Sequence, residues 1–186
     1  MSIPQQTRWA ALAVAALTAF AAPAWAGDKV HLVTSMGDIV IELDAQKAPK
    51  SVANFERYVK EGHYDGTVFH RVIPNFMIQS GGMLPSLQEK PTHAPIALES
   101  HNGLANVKGA VSMARTNMRD SATAQFFINV QDNPFLDQGD GYAVFGHVVK
   151  GMDVVEKIKM VPTTTSGDYE NVPRSPVIIK KATLEK

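Results

Sequence analysis

Short apolar runs separated by clusters of Gly, Pro, Asn and Asp restrict the possible folds of this chain more than any other feature of its sequence. The runs 31–34 and 39–43 flank the turn-forming residues 35–38, and this arrangement predicts a β-hairpin. Further strand-like runs follow at 68–73, 76–80, 110–114, 126–130, 143–149 and 177–182. Short strands with turn formers between them predict an all-β barrel or sandwich.

Three segments depart from this strand pattern. Segments 49–60 and 152–159 each place their apolar residues on one face of a helix. Pro49 suits the first turn of the first helix and Gly62 suits its end. The apolar positions are Val52, Phe55 and Val59 in the first segment and Val155 and Ile158 in the second. The apolar faces of both helices could cover the open ends of a barrel. The third segment, 161–173, is polar and is predicted to be a solvated loop.

Composition and charge narrow the class of protein. The chain has 186 residues, of which 45% are hydrophobic and 19% charged, and no linker divides it, so residues 27–186 are predicted to form a single domain. A formal net charge of zero gives no electrostatic reason to expect a nucleic-acid partner. The absence of cysteine excludes disulfides, thiolate catalysis and zinc–thiolate sites.

The first 26 residues have the pattern of a secretory signal peptide. Arg8 precedes the apolar run 9–22, and small residues lie before Gly27. The run is shorter than the roughly 20 residues that a membrane span requires, so a retained anchor is the less favoured alternative. We predict cleavage after Ala26, export to the bacterial periplasm and no stable membrane insertion once residues 1–26 are removed.

Arg71 stands alone among apolar residues in the run 68–73. In an extended strand, Phe69, Arg71 and Ile73 point to one face and His70 points to the other. Such an arginine either covers apolar surface with its stem while its head reaches water, or it serves a site. Arg71 taken alone does not decide between these alternatives.

Two further segments pair an amide with a large apolar side chain. Met77 and Gln79 alternate onto one face of their strand, and Gln125 and Phe127 do the same on another. An apolar surface with a few oriented polar groups is typical of a small binding pocket. A surface amide remains the default interpretation for either glutamine considered alone.

The segment 69–79, with the sequence FHRVIPNFMIQ, resembles the signature of the cyclophilins. The segments 109–114, 125–128, 135–137 and 142–146 follow in the order and spacing of that family. The resemblance extends from about Val30 to the C-terminus. Since five segments match in register, it is far more specific than a single motif would be.

This resemblance implies a fold, an activity and a site. The fold is a closed eight-stranded antiparallel barrel capped by two α-helices, and the activity is cis/trans isomerisation of the peptide bond before proline, without a cofactor or a metal. The expected partners are proline-containing unfolded or exposed polypeptide segments, and a monomer is expected. By position in the family pattern, the implied catalytic residues are Arg71 and Gln79. The implied substrate-binding residues are Phe76, Met77, Ala114, Thr116, Gln125, Phe127, Phe135, Leu136 and Tyr142.

The chemistry of X–Pro isomerisation agrees with these residue types. Twisting the bond breaks amide resonance, which makes the uncatalysed reaction slow, and returns a lone pair to the prolyl nitrogen. A donor aimed at that nitrogen stabilises the transition state selectively. Arg71 is the candidate donor because its guanidinium is permanently charged and has several N–H groups. Gln79 would orient Arg71 or the substrate carbonyl.

Four positions differ from the commonest family pattern, and one of them, Arg115, replaces an Asn that is frequent in eukaryotic members. Phe135 and Tyr142 stand where many eukaryotic cyclophilins have Trp and His, which resembles the exported bacterial branch. Ser80 replaces the first of two glycines that usually follow Gln79. If position 80 requires a positive φ, serine is expected to introduce strain there.

Other functions remain open at this level. A hydrolase would need a serine in a nucleophile-elbow context, which this sequence lacks. A metal site from His63, Asp65 and His70 is conceivable, although their spacing matches no common ligand set. The more serious alternative is a proline-peptide-binding chaperone with little turnover, which would need the apolar pocket but not Arg71.

Overall fold

The computed structural model describes residues 27–185, and the predicted signal peptide 1–26 with its cleavage site lies outside them. The strands of the main sheet are β1 Lys29–Thr34, β2 Gly37–Leu43, β3 Arg71–Ile73, β4 Met77–Ser80, β5 Ala110–Met113, β6 Phe126–Asn129, β7 Val144–Lys150 and β10 Ile179–Glu185. The remaining elements are α1 Pro49–Lys60, a 3₁₀ helix Pro134–Asp137, α2 Met152–Lys159, β8 Thr163–Ser166 and β9 Tyr169–Pro173.

The main sheet is antiparallel, with the strand order β10-β1-β2-β7-β5-β6-β4-β3, and it is open rather than closed. The prediction of a mainly β fold with eight antiparallel strands and two α-helices is confirmed, and the prediction of a closed barrel is wrong. The end strands share no ladder among the described residues. The chain before β3 instead approaches the chain before β10 through an isolated bridge between Val68 and Ile178 and nearby backbone hydrogen bonds. A strand of three residues is too short for β3 to close the curled sheet along its length.

Both α-helices begin and end where the sequence predicted, and their apolar faces pack into the main core. Phe55 of α1 is fully buried. Its ring centroid lies 5.0 Å from that of Tyr64, 5.2 Å from that of Phe126 and 5.0 Å from that of Phe145. This aromatic cluster joins α1 to the inner face of the sheet. Among residues 27–185, no helix has the length and apolar character needed to cross a membrane.

Segment 161–173 is a β-hairpin, so the prediction of a loop is wrong. Strands β8 and β9 pair with each other in a separate two-stranded sheet, with Thr164 opposite Val172 and Ser166 opposite Tyr169. Polarity concealed the strands, but β-branched threonines favour extended structure even where they are exposed. The hairpin packs with β9 beside β3, the strand that contains Arg71.

Candidate active site

Three of the predicted site residues form a row across the sheet. Arg71 of β3 lies opposite Gln79 of β4, and Gln79 lies opposite Phe127 of β6. Directly opposed residues in an antiparallel sheet project to the same face. The row therefore places a cation, an amide and an aromatic ring side by side on one surface.

A small apolar cluster lies beside this row and is separate from the main core. Met77, Phe127 and Leu136 are each less than 10% exposed and pack together. Partly buried apolar residues surround them, namely Ile73, Phe76, Ala114 and Tyr142. The strands supply Met77 and Phe127, whereas the 3₁₀ helix supplies Leu136. We call this cluster the apolar pocket; it brings together most of the predicted substrate-binding residues.

The guanidinium of Arg71 is half-buried beside the apolar pocket. Its central carbon lies 6.0 Å from the ring centroid of Phe76, at the outer limit of a cation–π contact. Among residues 27–185, no carboxylate or carbonyl oxygen accepts a hydrogen bond from Arg71. Its N–H donors are therefore available to a bound molecule at the edge of the pocket.

The amides of Gln79 and Gln125 are bonded to each other. Gln79 Nε2 donates to Gln125 Oε1 at 2.8 Å. Of the two roles expected for Gln79, orienting Arg71 directly is therefore not seen in this structure. Gln125 also packs closely over Gly82, where an added Cβ would lie 2.5 Å from the Gln125 side chain. A side chain at position 82 would displace the Gln125 amide from its present position, a role of Gly82 that no sequence pattern indicated.

Aromatic side chains form the rim of the pocket. Phe135 is 55% exposed, and its ring lies 5.5 Å from that of Phe76. The Tyr142 ring meets Phe127 edge-on at 5.7 Å between centroids. On its other side, the central guanidinium carbon of Arg115 lies 4.7 Å from the Tyr142 centroid, a closer cation–π contact than that of Arg71. Arg115 was not among the predicted site residues.

The matching family profile is described as "Cyclophilin type peptidyl-prolyl cis-trans isomerase/CLD", and it covers residues 29–184. The chain belongs to the cyclophilin family. The chain is 53% identical to peptidyl-prolyl cis-trans isomerase A of Dickeya dadantii over 183 residues, which cover 95% of this chain and 96% of that protein. It is 52% identical to peptidyl-prolyl cis-trans isomerase B of Escherichia coli over 159 residues, covering 82% and 97% of the two chains.

A solved structure gives the same result for the fold. The cyclophilin type isomerase of Cryptosporidium parvum, crystallised in the presence of the dipeptide Ala-Pro, superposes with a TM-score of 0.74. It is 27% identical to this chain, and the alignment covers 85% of this chain and 99% of that one. The resemblance found in the sequence is confirmed, and this cyclophilin is an enzyme of the peptidyl-prolyl cis-trans isomerase class.

Thr116 lies outside the apolar pocket of this cyclophilin. Its side chain is exposed, and its hydroxyl donates to Ser121 Oγ at 2.8 Å within a local turn. The backbone N–H of Thr116 donates to the same oxygen at 3.0 Å. Ala114, two residues earlier, does pack against the pocket. The structure therefore brings Ala114 but not the Thr116 side chain to the predicted site.

The β8–β9 hairpin forms a wall that the sequence analysis missed. A cavity of about 390 Å³ lies between Arg71 and the hairpin. Its lining residues are His70, Arg71, Gln79, Met83 and Gln125 from the sheet side and Asp168, Tyr169, Glu170 and Asn171 from the hairpin. No local signal places the hairpin there, because its position depends on packing between residues almost 100 positions apart in the chain.

Phe69 does not share a face with Arg71, so that prediction is wrong. Its ring is fully buried in the main core, as is the side chain of Val72. Regular pairing of β3 begins only at Arg71, while the backbone of Phe69 bonds to Val177. The predicted two-residue alternation therefore does not run from Phe69 to Arg71, because the two residues pair with different segments of the chain.

The expected strain at Ser80 is absent. Ser80 lies within β4, and its hydroxyl donates to the Val68 carbonyl at 2.9 Å. The next residue, Gly81, takes the positive φ of +93°. An added Cβ at Gly81 would also lie 2.8 Å from the backbone oxygen of Ala124. Glycine is therefore required at position 81, and serine is compatible with position 80.

Two of the three residues of the conceivable metal site, His63 and Asp65, already have other partners. A ring nitrogen of His63 lies 3.0 Å from the Gly81 carbonyl oxygen. The Asp65 carboxylate accepts from Lys181 Nζ at 2.7 Å and from the backbone of Ala182 at 2.9 Å. Within the described part of the chain, no three His, Cys, Asp or Glu side chains are grouped closely enough to hold a metal ion.

His70 makes the stability of this cyclophilin depend on pH. Burial lowers its pKa from 6.5 to about 4, against weaker opposing effects from the Val68 carbonyl and the Gln125 side chain. The unfolded chain therefore binds a proton at His70 between about pH 6.5 and pH 4, where the folded chain does not. The free energy of unfolding should fall as the pH is lowered through this range, and His70 should contribute nothing to the change above it.

We expect His70→Gln to remove this contribution. The difference in free energy of unfolding between about pH 7 and about pH 4.5 should shrink by roughly 2 to 3 kcal/mol relative to the native protein. Urea titrations at the two pH values measure it. An unchanged pH dependence in the variant would show that His70 is not the responsible group.

Proposed function

We propose that this isomerase acts on X–Pro bonds of exported proteins and assists their folding, with Arg71 donating a hydrogen bond to the prolyl nitrogen. The observation that carries the proposal is the half-buried Arg71 guanidinium, whose donors have no acceptor among the described residues, at the edge of the apolar pocket. A cation held next to an apolar surface without a partner is suited to donate to an acceptor that appears only during the reaction, namely the localised lone pair of the prolyl nitrogen.

The proposed selectivity for the transition state follows from amide resonance. In the planar ground state, the nitrogen lone pair is delocalised into the carbonyl and accepts hydrogen bonds poorly. In the twisted state, the lone pair is localised on nitrogen, so a donor from Arg71 stabilises that state much more than the ground state. No bond is made to the enzyme and no proton is transferred, so neither a nucleophile nor a general base is required.

The apolar pocket is proposed to hold the proline ring. Phe76, Met77, Phe127 and Leu136 would exclude water around it, which favours the less polar twisted amide. Phe135 and Tyr142 would cover its rim, and Ala114 would add to its apolar wall. The Cryptosporidium parvum cyclophilin crystallised with Ala-Pro supports an X–Pro dipeptide as the minimal ligand unit.

The Gln79–Gln125 pair is proposed to bind the substrate backbone beside Arg71. Gln125→Ala would remove the acceptor of the Gln79 amide and one donor available to the substrate. We expect kcat/KM to fall by about tenfold, in line with the loss of one or two hydrogen bonds. A protease-coupled assay with a short proline peptide measures this change.

Gln46→Ala is the matched control for Gln125→Ala. Gln46 is exposed in the connection between β2 and α1, and its side chain makes no hydrogen bond within residues 27–185. It should keep the native kcat/KM. Equal activity of the two variants would contradict a substrate-binding role for Gln125.

Export is proposed from the signal pattern in residues 1–26, and the clients would be proline-containing segments of unfolded polypeptides. The mature enzyme would then begin at Gly27 and work as a monomer in the periplasm. The intact mass of the protein recovered from the periplasm tests this. A mass that includes residues 1–26, or recovery only from the cytoplasm, would contradict it.

A further inference from the structure

A set of fully buried polar side chains lies under the walls of the apolar pocket. Asn106, Ser112, Asn129 and Asn133 are each at most 1% exposed, although nothing in the isomerisation uses them. Asn129 follows Phe127 by two residues in β6, so both side chains project to the pocket face of the sheet. Burying several amides on that face is unfavourable unless each is hydrogen-bonded.

Asn133 connects three segments that form the pocket. Its Nδ2 donates to the Phe76 carbonyl at 2.9 Å and to Asn129 Oδ1 at 2.7 Å. Its own carbonyl accepts from the backbone N–H of Leu136 at 2.9 Å, at the start of the 3₁₀ helix. Asn133 thus links three segments: its side chain joins the turn that bears Phe76 to the strand that bears Phe127, and its backbone carbonyl holds the start of the helix that bears Leu136.

Asn106 makes the corresponding connections at the other end of the 3₁₀ helix. Its Nδ2 donates to Asp137 Oδ1 at 2.7 Å and to the Tyr142 carbonyl at 3.3 Å. Its Oδ1 accepts from Ser112 Oγ at 2.7 Å and from Asn129 Nδ2 at 3.1 Å. Its backbone carbonyl accepts from the N–H of Asn133 at 2.8 Å, which joins the two asparagines directly.

These links matter because the pocket walls differ in their own rigidity. Met77 and Phe127 are held by the ladder between β4 and β6. Leu136 belongs to a 3₁₀ helix of four residues, and Phe76 to the turn before β4. A helical segment that short has little stability of its own. Its position relative to the sheet must come from tertiary contacts: Leu136 packs against Met77 and Phe127, and the buried amides add directional hydrogen bonds between the helix and the sheet.

We propose that Asn133, with Asn106 and Asp137, is a positioning residue that fixes the spacing between Phe76, Leu136 and the sheet. This inference rests on the proposed function, since it assumes that the proline ring occupies the apolar pocket. The amides touch no substrate; they act through the side chains that do. Displacing a pocket wall by about 1 Å can cost as much as about 10²-fold in rate, so the spacing is a functional quantity.

Asn133→Ala tests the inference, with Asn54→Ala as the matched control. Asn54 is also a buried asparagine, whose Nδ2 donates to the Thr123 carbonyl at 2.6 Å from within α1, away from the pocket. We expect both variants to have a lower Tm. Only Asn133→Ala should lose about 10- to 100-fold in kcat/KM, and its KM for a proline peptide should rise.

A purely structural role would move Tm and leave the KM unchanged. If folded Asn133→Ala keeps the native KM and kcat/KM, the inference is overturned. Should Asn133→Ala fail to fold, Asp137→Ala replaces it, because Asp137 is half-buried and anchors the far end of the 3₁₀ helix. A native KM for folded Asp137→Ala would equally overturn the inference, and a raised KM would support it.

The failure of this inference can be distinguished from failure of the proposed function. The proposed mechanism fails if Arg71→Ala retains native turnover, whatever the asparagine variants do. The positioning role fails if the amide variants retain a native KM while Arg71→Ala is slow.

Discussion

Arg71→Ala is expected to lower kcat/KM for a proline peptide by about 10²- to 10³-fold, the usual cost of removing one donor matched to a transition state. The Arg71 side chain makes no ion pair or hydrogen bond among residues 27–185, so its removal should leave the free energy of unfolding within about 0.5 kcal/mol of the native value. A protease-coupled assay gives the rate, and a denaturant titration gives the stability.

Two variants complete this experiment. Arg71→Lys keeps the charge but loses the planar set of donors, so it should fall between the native enzyme and Arg71→Ala. Arg57→Ala removes an exposed arginine that pairs with Glu61 on α1, and it should keep the native rate. If Arg71→Ala were as active as Arg57→Ala, Arg71 could not be the donor.

The second large effect is expected on stability, at Phe55. Its fully buried ring contacts Tyr64, Phe126 and Phe145, so Phe55→Ala would leave a cavity where α1 meets the sheet. Losing that ring should reduce the free energy of unfolding by about 3–5 kcal/mol. Urea titration followed by far-ultraviolet circular dichroism measures the change.

Phe135→Ala is the matched control for Phe55→Ala. Phe135 is 55% exposed at the pocket rim, so its removal should change the free energy of unfolding by less than about 1 kcal/mol. Phe55→Leu, which keeps most of the buried volume, should lie in between at about 1.5 kcal/mol or less. A Phe55→Ala variant as stable as Phe135→Ala would mean that the aromatic cluster is not central to the core.

Local sequence patterns were sufficient for the helices and most strands. The period of apolar residues in 49–60 and 152–159 gave both helices their correct bounds, because Pro49, Gly62 and the amphipathic spacing act within a few residues. Features that depend on distant pairing could not be obtained in this way. The open sheet and the position of the β8–β9 hairpin both arise from contacts between remote segments.

In the candidate site, too, features set by local sequence could be predicted and features set by distant pairing could not. The face shared by Gln79 and Met77 followed from strand alternation, and the structure places Gln79 opposite Arg71 and Met77 in the apolar pocket. Phe69 failed the same rule because its backbone pairs with a different segment. Asn133 has no recognisable signal in the sequence, since an asparagine before a proline in a polar segment usually indicates an exposed turn.

The central claim is that Arg71 lowers the barrier on the enzyme rather than merely helping to bind the peptide. Exchange spectroscopy by NMR on a saturated complex with an Ala-Pro peptide measures the cis/trans interconversion rate of the bound ligand. We expect Arg71→Ala to bind the peptide still but to interconvert it about 10²-fold more slowly than the native enzyme. A native interconversion rate in the Arg71→Ala complex would contradict it.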